Sequence, residues 1–165
     1  MFYKRYKEMI KMNDKKRTVC LILSWGFTLV CMIIIFSFSG ETAEVSSSQS
    51  GGLIRRILDT FGIELSQHFI RKSAHALEFF GLCLAFNLAY GFTFLKLCPL
   101  ISLSSTVFYA ATDEIHQYFI DGRACQLRDV FVDFCGALAA VAFCTVVYYI
   151  YIKITDKREE KRCQY

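Results

Sequence analysis

Four stretches of the chain are apolar over about 20 residues, the length needed to cross a hydrocarbon core about 30 Å thick. They run from Thr18 to Phe38, Ser73 to Leu95, Leu97 to Ile120, and Val130 to Ile154. A segment in lipid has no water to satisfy its N–H and C=O groups, so it must bond internally, as a helix does. With 55% apolar residues in 165, the chain is too apolar for a soluble domain and long enough for a single domain. The expected fold is all-α, an integral membrane four-helix bundle.

The first stretch carries no charge and follows a basic, partly acidic start from Lys4 to Arg17. It is longer than a signal-peptide core, so it reads as a retained anchor although Ser37-Phe38-Ser39-Gly40 weakly resembles a cleavage site. Lys and Arg set orientation through their distribution between loops. If both termini and the turn at Lys96 share a side, that side holds thirteen basic residues. The other holds six: Arg55, Arg56, Arg71, Lys72, Arg123 and Arg128. Both termini are therefore expected in the cytoplasm, with residues 1–17 as a basic flank, 18–154 as the helical domain and 155–165 as a charged tail.

The net charge of +4 belongs mostly to these flanks, which suit anionic lipid. It lacks the aromatic-interleaved basic surface of a nucleic-acid binder. The eight cysteines are scattered without a C-x-x-C pair and read as small apolar residues.

The first outward connection has a Ser-rich link over Glu41 to Gly52, expected to be flexible. It continues into Leu53 to Phe61, where Leu53, Ile54, Ile57, Leu58 and Phe61 form one stripe, so a short amphipathic helix in the interface is expected. Gly62 ends it and Ser66 caps the next helix, while Pro99 suits the first turn of the third.

Within this apolar frame lie ionisable groups, which are costly in a membrane and thereby mark candidate sites. Arg71, His75 and Glu78 share one helical face beside Lys72, and Asp113, His116 and Gln117 share another, with Glu114 rotated about 100° away. Asp129, Asp133 and Gly136 align on the last helix, where the glycine permits close approach of a neighbour. The alternating topology brings these faces to the outer end, where an open polar pocket one to two turns deep is expected. His68, Asp121 and Gln126 read as ordinary surface and loop residues.

Three chemistries fit these residue types. His75 with Glu78, or His116 with Asp113, suits an acid/base pair. The carboxylates and imidazoles suit Zn, Mn or Fe, although no cofactor is selected by the sequence. Arg71, Lys72 and Arg123 suit a phosphate or carboxylate head group. The alternative to all three is a polar network that only locks the helices together. Signatures of known membrane hydrolases, H-E-x-x-H, G-x-S-x-G and Pro-Ser-Gly-His, are absent from the sequence.

Taken in order, Arg71-Lys72-x-x-His75-x-x-Glu78-Phe79, Asp113-Glu114-x-His116-Gln117-x-Phe119, Arg123 and Asp129-x-x-x-Asp133-x-x-Gly136 resemble the VanZ-like family of small membrane proteins. The resemblance spans Arg71 to about Ala140. It implies a bacterial cell-membrane protein whose founding relative confers resistance to the lipoglycopeptide teicoplanin. It also supports Arg71, Lys72, His75, Glu78, Asp113, Glu114, His116, Gln117, Arg123 and Asp129 as the site. Two departures stand out: members often carry Pro-Gly-Arg where this chain has Asp121-Gly122-Arg123, and Asn is also common at the position of Asp133.

The residues and the resemblance together lead to an expected function. An outward-facing pocket binds a lipid-linked or anionic envelope component, with the basic residues on the ligand and His75, Glu78, Asp113, Glu114, His116 and Asp129 as its network. The alternative is a hydrolase or transferase acting on a lipid or peptidoglycan precursor through the same cluster.

Overall fold

The computed structural model describes residues 13–40, 60, 66–120 and 126–163, with backbone only for 67, 68 and 157–163. The described residues form four main helices: α1 (Asp14–Ser39), α2 (Gln67–Phe94), α3 (Pro99–Tyr118) and α4 (Leu127–Cys163). The residues before 13, the Ser-rich link, the expected interfacial helix apart from Thr60, Gly62, and the loop Asp121–Cys125 with Arg123 lie outside the described residues.

Local chemistry places the helix ends. Asn13 caps α1 by accepting from the Lys15 N–H, and the Gly40 N–H closes the other end on the Phe36 carbonyl. Ser66 caps α2 by accepting from Phe69, and Pro99 occupies the first turn of α3. Between them Leu95 adopts the left-handed conformation (φ 52°), ending α2 in a tight turn. The last helix runs nine residues past the expected boundary at Ile154, because Thr155 to Cys163 contains neither glycine nor proline to stop it.

Helices α1, α2 and α4 are long and apolar enough to cross a membrane. The third expected span differs. At 20 residues α3 reaches about 30 Å, but its composition is too polar to qualify alone. The bundle hides that polarity: Ser102, Thr106, Asp113, Glu114 and Gln117 are buried, while Leu100, Ile101, Phe108 and Ile115 face outward. The hydroxyls of Ser102 and Thr106 donate to carbonyls four residues back, so neither needs an outside partner.

The second helix is the hub, packing on all three others, whereas α1 barely touches α3. Phe79, Leu82, Phe86 and Ala110 pack with Ile35, and a second cluster joins Cys83 to Ala137 and Ala140. The outer faces of α1 and α4 carry exposed Ile22, Leu23, Ile33, Phe143 and Val146, which is surface for lipid rather than water. The fold is thus an all-α membrane bundle. Successive helices run antiparallel, so Ser39, the start of α2, the end of α3 and the start of α4 meet at one end, as the contacts below require.

Candidate functional site

At that end, α3 divides its polar residues among its neighbours. Asp113 faces α1: its Oδ2 accepts from the Ser39 hydroxyl at 2.7 Å and from the Gln117 amide at 2.8 Å, and Gln117 also donates to Ser39 at 3.3 Å. All three residues are buried, so this knot fastens α1 to α3 where little water competes. Glu114, one residue and about 100° around the helix, faces α4 and accepts from the backbone N–H of Gln126 at 2.9 Å. That donor opens α4, so the carboxylate also meets the positive end of the helix dipole.

The second helix contributes the basic half. Lys72 pairs with Asp129 in the first turn of α4, at a partly exposed position. One turn deeper, His75 Nδ1 lies 3.4 Å from Glu78 Oε2, both side chains being largely covered. His75 also lies within electrostatic reach of Asp113 and Asp133, and Asp133 within reach of Glu114 and Asp129. Arg71 is half-buried on the same face of α2 and makes no ion pair among the described residues.

His116 stands apart from this cluster. Its ring stacks on Phe36 of α1 with centroids 4.1 Å apart, so the Asp113–His116 acid/base pairing allowed by helical spacing gives way to the Asp113–Ser39–Gln117 knot. The other pairing, His75 with Glu78, is in contact. No group of three His, Cys, Asp or Glu close enough to hold a metal occurs among the described residues.

Three participants carried little weight in the sequence. Ser39 is fully buried and bonded to Asp113; its signal was a hydroxyl at the end of an otherwise uncharged anchor. Gln126 contributes a backbone group, which its side chain could not announce. Asp133 is buried in the α2–α4 contact with Oδ1 lacking a hydrogen-bond partner. Asp113 Oδ1 and His116 Nε2 likewise lack one. Buried polar atoms are normally paired, so such a concentration calls for an explanation in function.

The VanZ/LLP1 family model matches residues 24–148, reaching from α1 to α4. The chain belongs to that family. The matched span takes in Ser39 as well as the motifs on α2, α3 and α4, and so includes parts of all four helices. Searches of curated proteins and of solved structures found no match.

The Glu114 contact has a measurable consequence in this VanZ/LLP1 protein. Glu114→Gln keeps an acceptor for the Gln126 N–H and is expected to melt like the parent. Glu114→Ala strands that donor and is expected to cost about 1–2 kcal/mol. Thermal unfolding of the two purified variants in detergent separates them, and equal melting temperatures would remove the contact from the argument.

Proposed function

We propose that the polar end of this VanZ/LLP1 bundle binds an anionic or lipid-linked component of the bacterial cell envelope and thereby lowers susceptibility to lipoglycopeptides such as teicoplanin. In this reading the protein sits in the cell membrane with both termini cytoplasmic and the polar end outward. The observation that carries it is Arg71: a half-buried guanidinium without an ion pair among the described residues, on the face of α2 that also carries His75 and Glu78. A guanidinium pairs phosphate or carboxylate in a two-pronged geometry, and its place near the N-terminus of α2 adds the helix dipole in favour of an anion.

The other basic candidates contribute differently. Lys72 is already engaged by Asp129, and Arg123 lies outside the described residues. The carboxylates Glu78, Asp113, Glu114 and Asp129, with His75, His116 and Gln117, then serve as the network that receives hydroxyl or amide donors of the head group.

The test uses a susceptible strain in which this chain is the sole source of resistance. Arg71→Ala is expected to return the inhibitory concentration of teicoplanin to that of the strain without the protein, while Arg71→Lys retains part of the effect and Glu114→Gln retains most. Normal insertion with unchanged resistance in Arg71→Ala would reject the reading.

The contact between His75 and Glu78 favours a second reading, a hydrolase or transferase acting on a lipid or peptidoglycan precursor. It requires that His75→Gln and Glu78→Gln abolish function in a folded protein, even with Arg71 intact.

A further inference from the structure

Midway along the bundle, α1 and α3 diverge and leave a groove of about 500 Å³ that opens sideways. Met32 of α1, Phe86 of α2, and Ser105, Phe108, Tyr109 and Thr112 of α3 line it. That volume lies within the range of about 300–1,000 Å³ usual for ligand sites. The open side faces lipid, since Phe108 on its rim is 73% exposed among outward-facing apolar side chains.

The lining specifies the occupant. Three of its four hydroxyls are satisfied inside the protein: Tyr109 donates to the Met32 carbonyl at 2.6 Å, Ser105 bonds Tyr90 at 2.9 Å, and Thr112 donates to the Tyr109 carbonyl at 2.7 Å, while the fourth, on Ser104, lies at the exposed rim. A polar guest would therefore be desolvated with little return, whereas a hydrocarbon loses nothing. From Ser104 to Thr112 the groove rises about 12 Å along α3.

The outer end of the groove has a different character. Phe36 and His116 each lie one turn beyond Met32 and Thr112, and their stacked rings stand over the groove's upper end. His116 Nε2 is buried there without a hydrogen-bond partner, next to the Asp113 knot. We propose that the groove holds the hydrocarbon chain of a membrane amphiphile whose anionic head group lies at His116 and the polar end of the bundle. The head-group half rests on the function proposed above; the chain half does not.

The experiment uses the full chain in nanodiscs containing phosphatidylglycerol with a diazirine midway along one acyl chain. After illumination, adducts mapped by mass spectrometry are expected on Met32, Phe108, Tyr109 and Thr112 in several-fold excess over Val146 and Ile150, which are lipid-facing on α4. Ser104→Phe, which fills the groove from an exposed position on its lining, is expected to remove most of that excess. Leu100→Phe, on α3 but outside the groove, should leave it unchanged. Even labelling around the bundle, adducts joining two copies, or indifference to Ser104→Phe would overturn the proposal. Groove labelling with resistance intact in Arg71→Ala keeps the chain site and rejects the function proposed above. Even labelling with resistance lost in Arg71→Ala does the reverse.

Discussion

Replacing Gly136 by alanine is expected to force α2 away from α4 and to cause the largest loss of stability of any single methyl group added to this protein. A Cβ built on Gly136 would lie 2.1 Å from the Ala76 carbonyl oxygen and 2.9 Å from its carbon. Real Cβ contacts essentially never fall below 3.0 Å. The obstacle is backbone, so no side-chain rotation relieves it and the two helices must part. Small residues at a membrane helix crossing exist for this reason, since dispersion between close backbones is a main source of association in lipid. Overpacking costs about 1–3 kcal/mol and occasionally more, and a clash with rigid backbone belongs at the upper end. Against a typical total of about 5–15 kcal/mol, that is a substantial share.

The interface at risk also carries the Lys72–Asp129 pair and buried Asp133, so the polar end is expected to loosen with it. Gly26→Ala in α1 is the matched control. Nothing lies within 4 Å of its added Cβ, and helix propensity favours alanine by about 0.5–1 kcal/mol. Thermal unfolding in detergent should show Gly136→Ala melting well below the parent and Gly26→Ala at or above it. Equal melting of the two variants would mean that α2 and α4 do not approach this closely.

The second large effect is expected at Asp113, where alanine and asparagine should part company. Alanine removes the acceptor shared by Ser39 and Gln117, which are left with their own 3.3 Å bond. Stranding buried donors costs about 1–3 kcal/mol. Hydrogen bonds between membrane helices average only about 0.6 kcal/mol, with a maximum of about 1.7. The second range sets the value of one bond and the first that of the stranded groups, so a net loss of about 2 kcal/mol is expected.

Asparagine keeps a carbonyl oxygen for both donors and turns its amide toward the side where Asp113 Oδ1 has no hydrogen-bond partner. Asp113→Asn is therefore expected to unfold like the parent. If it then loses resistance, the carboxylate acts on a ligand; if it keeps resistance, the residue serves to join α1 to α3. A melting temperature for Asp113→Ala equal to the parent's would show the knot to be idle.

The membrane character, three of the four spans, the cap at Ser66 and the first-turn proline Pro99 were legible because they depend on residues near one another in the chain. Twenty apolar residues need lipid wherever they sit, and a cap bonds the turn that follows it. The third span was harder to judge from composition, since its hydroxyls and carboxylates look costly until the faces they turn inward are known. The motifs marked His75, Glu78, Asp113, Glu114 and Asp129 as candidates through helical spacing alone. Spacing leaves open which neighbour each face meets, and so Asp113 and His116 share a face in sequence yet bind Ser39 and Phe36 in the bundle.

By itself, then, the sequence determined that this is a helical membrane protein whose ionisable motifs lie toward one end of three helices, because hydrophobic length and helical period are local properties. Only the tertiary structure decided the partners. Ser39 became part of the site because α1 ends beside Asp113, Gln126 because α4 begins beside Glu114, and Gly136 mattered because Ala76 lies against it. Each of these depends on how helices far apart in the chain pack side by side. The α1–α3 groove is a further case, a space set by where two helices diverge, which no residue spacing records.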